Sequence, residues 1–270
     1  MKKFLALALA LVMVLALVAC GNNEPTTAPT QAPTQAPTQA PTQAPTQAPT
    51  EAPTAAPTEE PTEAPVTVMT YDEYMAAELE SPVVVEFYVQ GHQSWYNNQI
   101  TVYGQDENGG YFAYEMACSE EDAAKLVPGT KIRVTGFKTA WADEIEIASG
   151  ATFEIIEAEP WIAEAVDMTA LLGTDELIKH QNELGAFKGL TIKSIEYKNG
   201  EPGYGNDIYV TVTSNGADYD FCVEAYLTDP ETDVYKAFAE LKAGDVIDVE
   251  GFVYWYNGVN THITAVTPAN

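Results

Sequence analysis

The sequence predicts a mainly β protein. Two tandem five-stranded Greek-key barrels, each with a helix between its third and fourth strands, follow a low-complexity segment rich in proline and threonine. Three observations carry this expectation. A twelve-residue motif recurs without a gap, short apolar runs with period-two alternation surround both copies, and a four-residue Ala-Pro-Thr-Gln repeat occupies the N-terminal quarter.

The recurrence is the most informative of the three. Leu126-Val-Pro-Gly129-Thr-Lys-Ile132-Arg-Val134-Thr-Gly136-Phe137 aligns with Leu241-Lys-Ala-Gly244-Asp-Val-Ile247-Asp-Val249-Glu-Gly251-Phe252, always at an offset of 115. Ile132 and Val134, like Val249 and Gly251, alternate as half-buried strand residues do. A helical stretch precedes each copy, Ser119 to Lys125 in the first and Asp233 to Leu241 in the second.

Three strand-like runs come before each helix. In the first unit they are Val83 to Val89, Gln99 to Gly104 and Tyr111 to Met116, the last two separated by a turn at Asp106-Glu-Asn-Gly-Gly110. In the second they are Leu190 to Tyr197, Ile208 to Thr213 and Tyr219 to Glu224. After the helix the first unit continues with Lys131 to Lys138 and a closing strand near Thr152 to Ile156. The second continues with Val246 to Tyr254 and His262 to Thr267. Thr70-Tyr-Asp-Glu73 is a capping-box pattern for a helix that opens the first unit. Thr174 with Asp175 and Glu176 suggests a comparable start in the second, with Gly185 as its stop. The expected units are therefore 67–158 and 167–270, joined by a linker over 159–166.

The N-terminal segments read as targeting and spacing. Lys2 and Lys3 precede an apolar run from Phe4 to Ala19, which is short for a spanning helix and fits the apolar core of an export signal. Residues 21–66 hold proline at every fourth position over most of their length. Proline lacks the N–H and fixes φ, so neither helix nor sheet suits the repeat. It has no apolar side chain large enough to repay ordering, so an extended, disordered stalk is expected.

The chain carries 40 acidic and 12 basic residues, for a formal charge of −28. Two of the bases and five of the acids precede residue 67, which leaves roughly −25 on the rest. Such a field repels phosphate backbones and favours cations or basic partners. Nucleic-acid binding draws most of its affinity from Lys and Arg, and Arg133 is the one arginine in the sequence. Stacking aromatics are present (Tyr88, Tyr103, Tyr111, Tyr114, Tyr209 and Tyr254 among them), but the cations are not, so nucleic acid is disfavoured as a partner.

Catalytic signatures are missing from the sequence: it has no Gly-x-Ser-x-Gly, no His-Glu-x-x-His and no P-loop. His92, His180 and His262 stand in no metal-ligand spacing. Asp106 to Gly109 and Asp229 to Asp233 carry oxygen ligands but complete no calcium loop, and read as a turn and a helix cap. The expectation is a non-enzymatic protein without cofactor or metal. Cys118 and Cys222 lie in different units and are expected as buried free thiols.

Two resemblances add to this reading. Leu17-Val-Ala-Cys20-Gly21 resembles the bacterial lipobox, which implies cleavage before Cys20, lipid on its thiol and a place on the outer face of the cell membrane. Five strands with a helix between the third and fourth is the order of the OB-fold. The Gly-x-x-Ile-x-Val-x-Gly-Phe run resembles the fourth strand of bacterial OB domains. The whole chain is similar to tandem OB-type lipoproteins of Gram-positive gut bacteria.

In such barrels the loops between strands one and two and between strands four and five form a ligand face. Here these hold Trp95, Tyr96, Asn97, Asn98 and Trp141 in the first unit, and Tyr204, Trp255, Tyr256 and Asn257 in the second. Aromatic faces beside amides suit a glycan, and Trp and Tyr equally suit a peptide or protein partner. The resulting expectation is a surface-displayed binding module, with Trp95 and Trp141 on one face. The alternatives are an accessory subunit of an envelope complex with no ligand pocket and, as a minor one, an oligonucleotide-binding protein.

Overall fold

Along the first strand every second side chain is buried: Val83, Val85, Phe87 and Val89 point inward, and their neighbours are partly wet. A sheet with one solvated face selects this pattern. In the computed structural model, which describes residues 67–269, that strand is β1 (Pro82–His92), preceded by α1 (Tyr71–Ala76). There follow β2 (Gln99–Gln105), β3 (Gly110–Ala117), α2 (Glu120–Ala123), β4 (Lys131–Trp141), β5 (Glu144–Ile147) and β6 (Thr152–Ile155). The second half holds β7 (Val166–Asp167), β8 (Leu184–Tyr197), β9 (Ile208–Ser214) and β10 (Ala217–Val223). After these come α3 (Ala225–Thr228), α4 (Asp233–Phe238), β11 (Val246–Phe252) and β12 (His262–Pro268). The expected signal segment, Cys20 and the stalk over 21–66 lie outside the described residues.

The chain is mainly β, in two six-stranded sheets. In the first, β1 pairs with β2, β2 with β3, β3 with β5 in parallel, β5 with β4, and β4 returns to β1. That ring is a closed five-stranded barrel. Its core holds Phe87, Val102, Met116, Ile132, Val134 and Ile147. In the second sheet the pairings run β8–β9–β10–β12–β11 and back to β8, with β10–β12 parallel. Phe187, Leu190, Val210, Phe221, Val249 and Ile263 fill its core.

Thr70 and Glu73 form both halves of the capping box, with Glu73 Oε2 accepting from Thr70 N at 2.8 Å. The cap aims Tyr71 and Tyr74 beneath the first barrel. Gly136 and Gly251 each occupy the sixth position of their strand, β4 and β11. Gly251 has no room for a side chain, because a Cβ there would lie 2.3 Å from the His262 carbonyl oxygen. Cys118 and Cys222 are free and buried.

Two expectations change. The strand that closes the first ring is β5, not Thr152 to Ile156, which instead pairs with the other edge of β4. The hairpin from β4 to β5 turns on Ala142 and Asp143, at φ 49° and 72°. A two-residue turn of that kind usually announces itself as Asn-Gly, so Ala-Asp hid it, and Trp141, expected in a loop after the fourth strand, is instead the last residue of β4. The helix expected after Thr174 is replaced by the 3₁₀ turns Thr169–Leu171 and Leu177–His180. Gly185 stops no helix. It lies in β8, where a Cβ would press on Val253 at 2.9 Å.

Candidate binding surface at the barrel junction

Strand alternation supplies the junction. In β2 and β3 the side chains of Tyr103 and Phe112 leave the first barrel outward and are buried by Phe252 from β11. The Tyr103 ring stacks on Phe252 at 4.6 Å, and its hydroxyl shares a hydrogen bond with His262 Nδ1 at 2.6 Å. Tyr254 stacks on His262 at 4.3 Å and meets Phe112 edge-on at 5.3 Å. Burial pushes His262 down to about 4 and keeps the imidazole neutral.

A polar seam lies alongside. Glu144 Oε1 accepts from Asn182 Nδ2 at 2.5 Å, and Oε2 accepts from Trp255 N at 2.8 Å. Gln181 accepts from Ile145 N and donates to Asp143 O, while Gln105 Oε1 accepts from Leu184 N. Gly110 lets the backbones meet, since a Cβ there would stand 2.2 Å from the Asn182 carbonyl carbon. Burial pushes the Glu144 carboxyl up to about 8, against the two donors that hold it.

The aromatic residues expected in the loops fall into two groups. Asn257 N donates to Ala142 O at 2.8 Å. That bond sets Tyr256 and Asn257 beside the turn that carries Trp141, and Trp141 and Tyr256 are 62% and 56% exposed. Trp255, one residue back, packs against the second core.

At the far end of β2, Trp95 packs against the first core and donates its indole N–H to Cys118 O at 2.9 Å. Tyr96, Asn97 and Asn98 are exposed beside it. Asn98 also borders a shallow cleft of about 690 Å³ with Ser119, Phe153 and Ile155. Ser94 N reaches Tyr226 O in α3. The Tyr226 hydroxyl faces Gly205, the neighbour of the exposed Tyr204.

Trp95 and Trp141 are not brought together. β5 runs parallel to β3, so the Trp141–Glu144 pair lies by the Gly110 end, and Trp95 lies by the Gln99–Ala117 end. Tyr103, His262 and Glu144, which join the barrels, carry no motif in the sequence. Only their outward strand parity could have flagged Tyr103 and Glu144.

Among the described residues no three His, Cys, Asp or Glu side chains gather to hold a metal ion. No helix among them is long and apolar enough to cross a membrane.

No protein-family model matches the chain, and no curated protein does. Among solved structures it is similar to a murine DNA-binding protein bound with double-stranded DNA. There the identity is 11%, the TM-score 0.32, and 70% of this chain and 100% of that one are covered. It is also similar to the Ifi202 HINa domain in complex with DNA, at 10% identity and TM-score 0.31, covering 63% and 84%. A third is an aspartyl tRNA synthetase from Entamoeba histolytica, at 15% identity and TM-score 0.27, covering 37% of this chain and 23% of the synthetase. The chain thus spans about a quarter of that enzyme's length. Likenesses of this size carry no argument about activity. The strand pairing defines the class: the closed 1-2-3-5-4 ring, with α2 between its third and fourth strands, is an OB-like barrel.

Proposed function

We propose that the chain is a lipid-anchored, non-enzymatic binding module of two tandem OB-like barrels, displayed outside the cell and meeting its ligand at the junction. Cys20 in its lipobox-like setting supplies the anchor, and the Ala-Pro-Thr-Gln repeat the spacer. The offset of 115 between the motifs and the matching ring order support the tandem reading. The observation that carries the ligand face is the Asn257–Ala142 bond, which brings the loop of the exposed Tyr256 against the turn of the exposed Trp141. Asn257 lies in the same contact, so a glycan, a peptide or a partner protein fits the surface.

The DNA named for two structural neighbours does not carry over well. Arg133 is already held by Glu86 at 2.7 Å, and Lys131 pairs with the same carboxylate at 2.9 Å. The test uses the chain from Gly21 to its C-terminus, which carries neither the apolar leader nor the lipidated cysteine. Probed on glycan and peptide arrays, it should give hits that Trp141→Ala and Tyr256→Ala abolish. Hits indifferent to both variants would overturn the assignment of the face. Arrays without any hit would favour an accessory subunit.

A further inference from the structure

We propose that the exposed end of the junction binds an alkylammonium group, held over the rings of Tyr114 and Trp141 with the Glu146 carboxylate behind it. The inference rests on the junction being a contact surface, and it names the chemistry of the ligand there.

The placement follows from strand parity. Ala113 of β3 and Ile147 of β5 pair with each other and are both buried in the first core. Their neighbours Phe112, Tyr114 and Glu146 therefore leave the sheet on its outer face. In the β4–β5 hairpin, Thr139 stands opposite Glu146 and Trp141 opposite Glu144. Glu146 is thus the diagonal neighbour of Trp141, a separation that an aromatic side chain spans. Tyr114 stacks offset on Phe112 at 6.5 Å and is 40% exposed.

Glu146 is the anomaly in this arrangement. It is 8% exposed, yet among the described residues it accepts no hydrogen bond and forms no ion pair. The other deeply buried carboxylates are supplied with donors. Glu144 has Asn182 and Trp255, and Asp207 has Lys198 and Ala225 N. The Glu146 oxygens keep contact with solvent, since they are not among the buried atoms left without a partner, so a cationic donor can reach them from the open side and replace the few waters they hold. Among the described residues no lysine pairs with Glu146. Lys138 points to the opposite face, where its Nζ donates to Met75 O and Ala77 O.

The titratable groups around Glu146 are Glu144, Tyr114, Tyr254 and, from α1, Tyr74, and none supplies a positive charge. Burial pushes the Glu146 carboxyl up to about 7. Aromatic faces attract a cation, and the acid excess of the whole chain concentrates cations near it.

The experiment titrates the chain from Gly21 to its C-terminus with choline, with its neutral isostere 3,3-dimethylbutan-1-ol, and with a lysine peptide alongside its acetyl-lysine counterpart. Tryptophan fluorescence and calorimetry read the binding. The charged members should bind about tenfold or more tightly than the neutral ones. Glu146→Gln and Trp141→Ala should each erase that preference while both chains stay folded, with the Trp141→Ala melting temperature near wild type. Affinity should rise about tenfold from pH 6 to pH 8 as Glu146 ionises, and Glu146→Gln should flatten that rise.

Binding of choline shows that a free amine suffices. Binding of the lysine peptide alone assigns the ammonium to a protein partner. Equal affinity for the alcohol, or indifference to Glu146→Gln, overturns the inference. Array hits that need Trp141 but not Glu146 would overturn it while leaving the contact surface standing.

Discussion

Glu144→Gln reads the barrel junction most directly. The Glu144 side chain is fully buried, and burial raises its carboxyl from an ordinary 4.5 to about 8 despite the Asn182 and Trp255 donors. A carboxyl raised in the folded state stabilises the fold fully below about 4.5, and its contribution is lost as pH climbs towards 8. Between those limits the unfolded chain has released a proton that the native chain keeps. Stability therefore falls by about 1.4 kcal/mol per pH unit on account of this group. From pH 5 to pH 8 the sum approaches about 4 kcal/mol, less whatever water entering the seam relieves.

Glu146 and Glu224, both pushed up to about 7 by burial, act in the same direction. His262, depressed to about 4, acts in the opposite one: its contribution is present above 6.5 and lost as pH falls towards 4. The glutamine keeps the volume and one acceptor but does not titrate. Denaturant unfolding followed by tryptophan fluorescence at pH 5, 6, 7 and 8 should show the wild-type advantage over the variant shrinking by about 1.4 kcal/mol per unit. Parallel pH profiles for the two chains would refute a buried, neutral Glu144.

Trp95→Ala removes a packed indole and its bond to Cys118, and should cost about 2–4 kcal/mol, whereas Trp141→Ala should cost under about 0.5. Equal losses in thermal unfolding would contradict their placement. Gly110→Ala drives a methyl into the Asn182 backbone and should cost about 1–3 kcal/mol. A variant as stable as wild type would mean that the barrels do not meet there. Cys118, pushed by burial to about 11, and Cys222, raised further, should react slowly with a thiol reagent at pH 8 until the chain is denatured. Fast labelling of the native protein would argue against buried thiols. Fluorescence anisotropy at ~150 mM salt should detect no DNA binding, and a submicromolar complex would overturn the charge argument.

The elements differ in how openly the sequence announces them. β1 could be read from Val83 to Val89 because a half-buried strand forces alternation, and α1 from Thr70 and Glu73 because capping is local. β5 escaped notice because its turn uses Ala142 and Asp143 in left-handed conformations, with no glycine or asparagine to mark them. The segment after Thr174 carries helix-start residues but winds into 3₁₀ turns that lead to the junction. There Asn182 packs against Gly110, a contact absent from any local pattern.

Of the candidate site, the identity of the exposed aromatics was legible and their grouping was not. Trp141 joins Tyr256 rather than Trp95, because the parallel β3–β5 pairing decides which end of the barrel each loop occupies. The sequence alone determined the mainly β class, the repeated fourth strand with its glycines and the acid excess. Period, spacing and charge are properties of the chain before it folds. Only the tertiary structure decided that Tyr103 meets His262, that Glu144 bridges the barrels and that Glu146 reaches solvent through a narrow opening with no protein donor. Those facts depend on which outward faces meet, and no one-dimensional pattern encodes that.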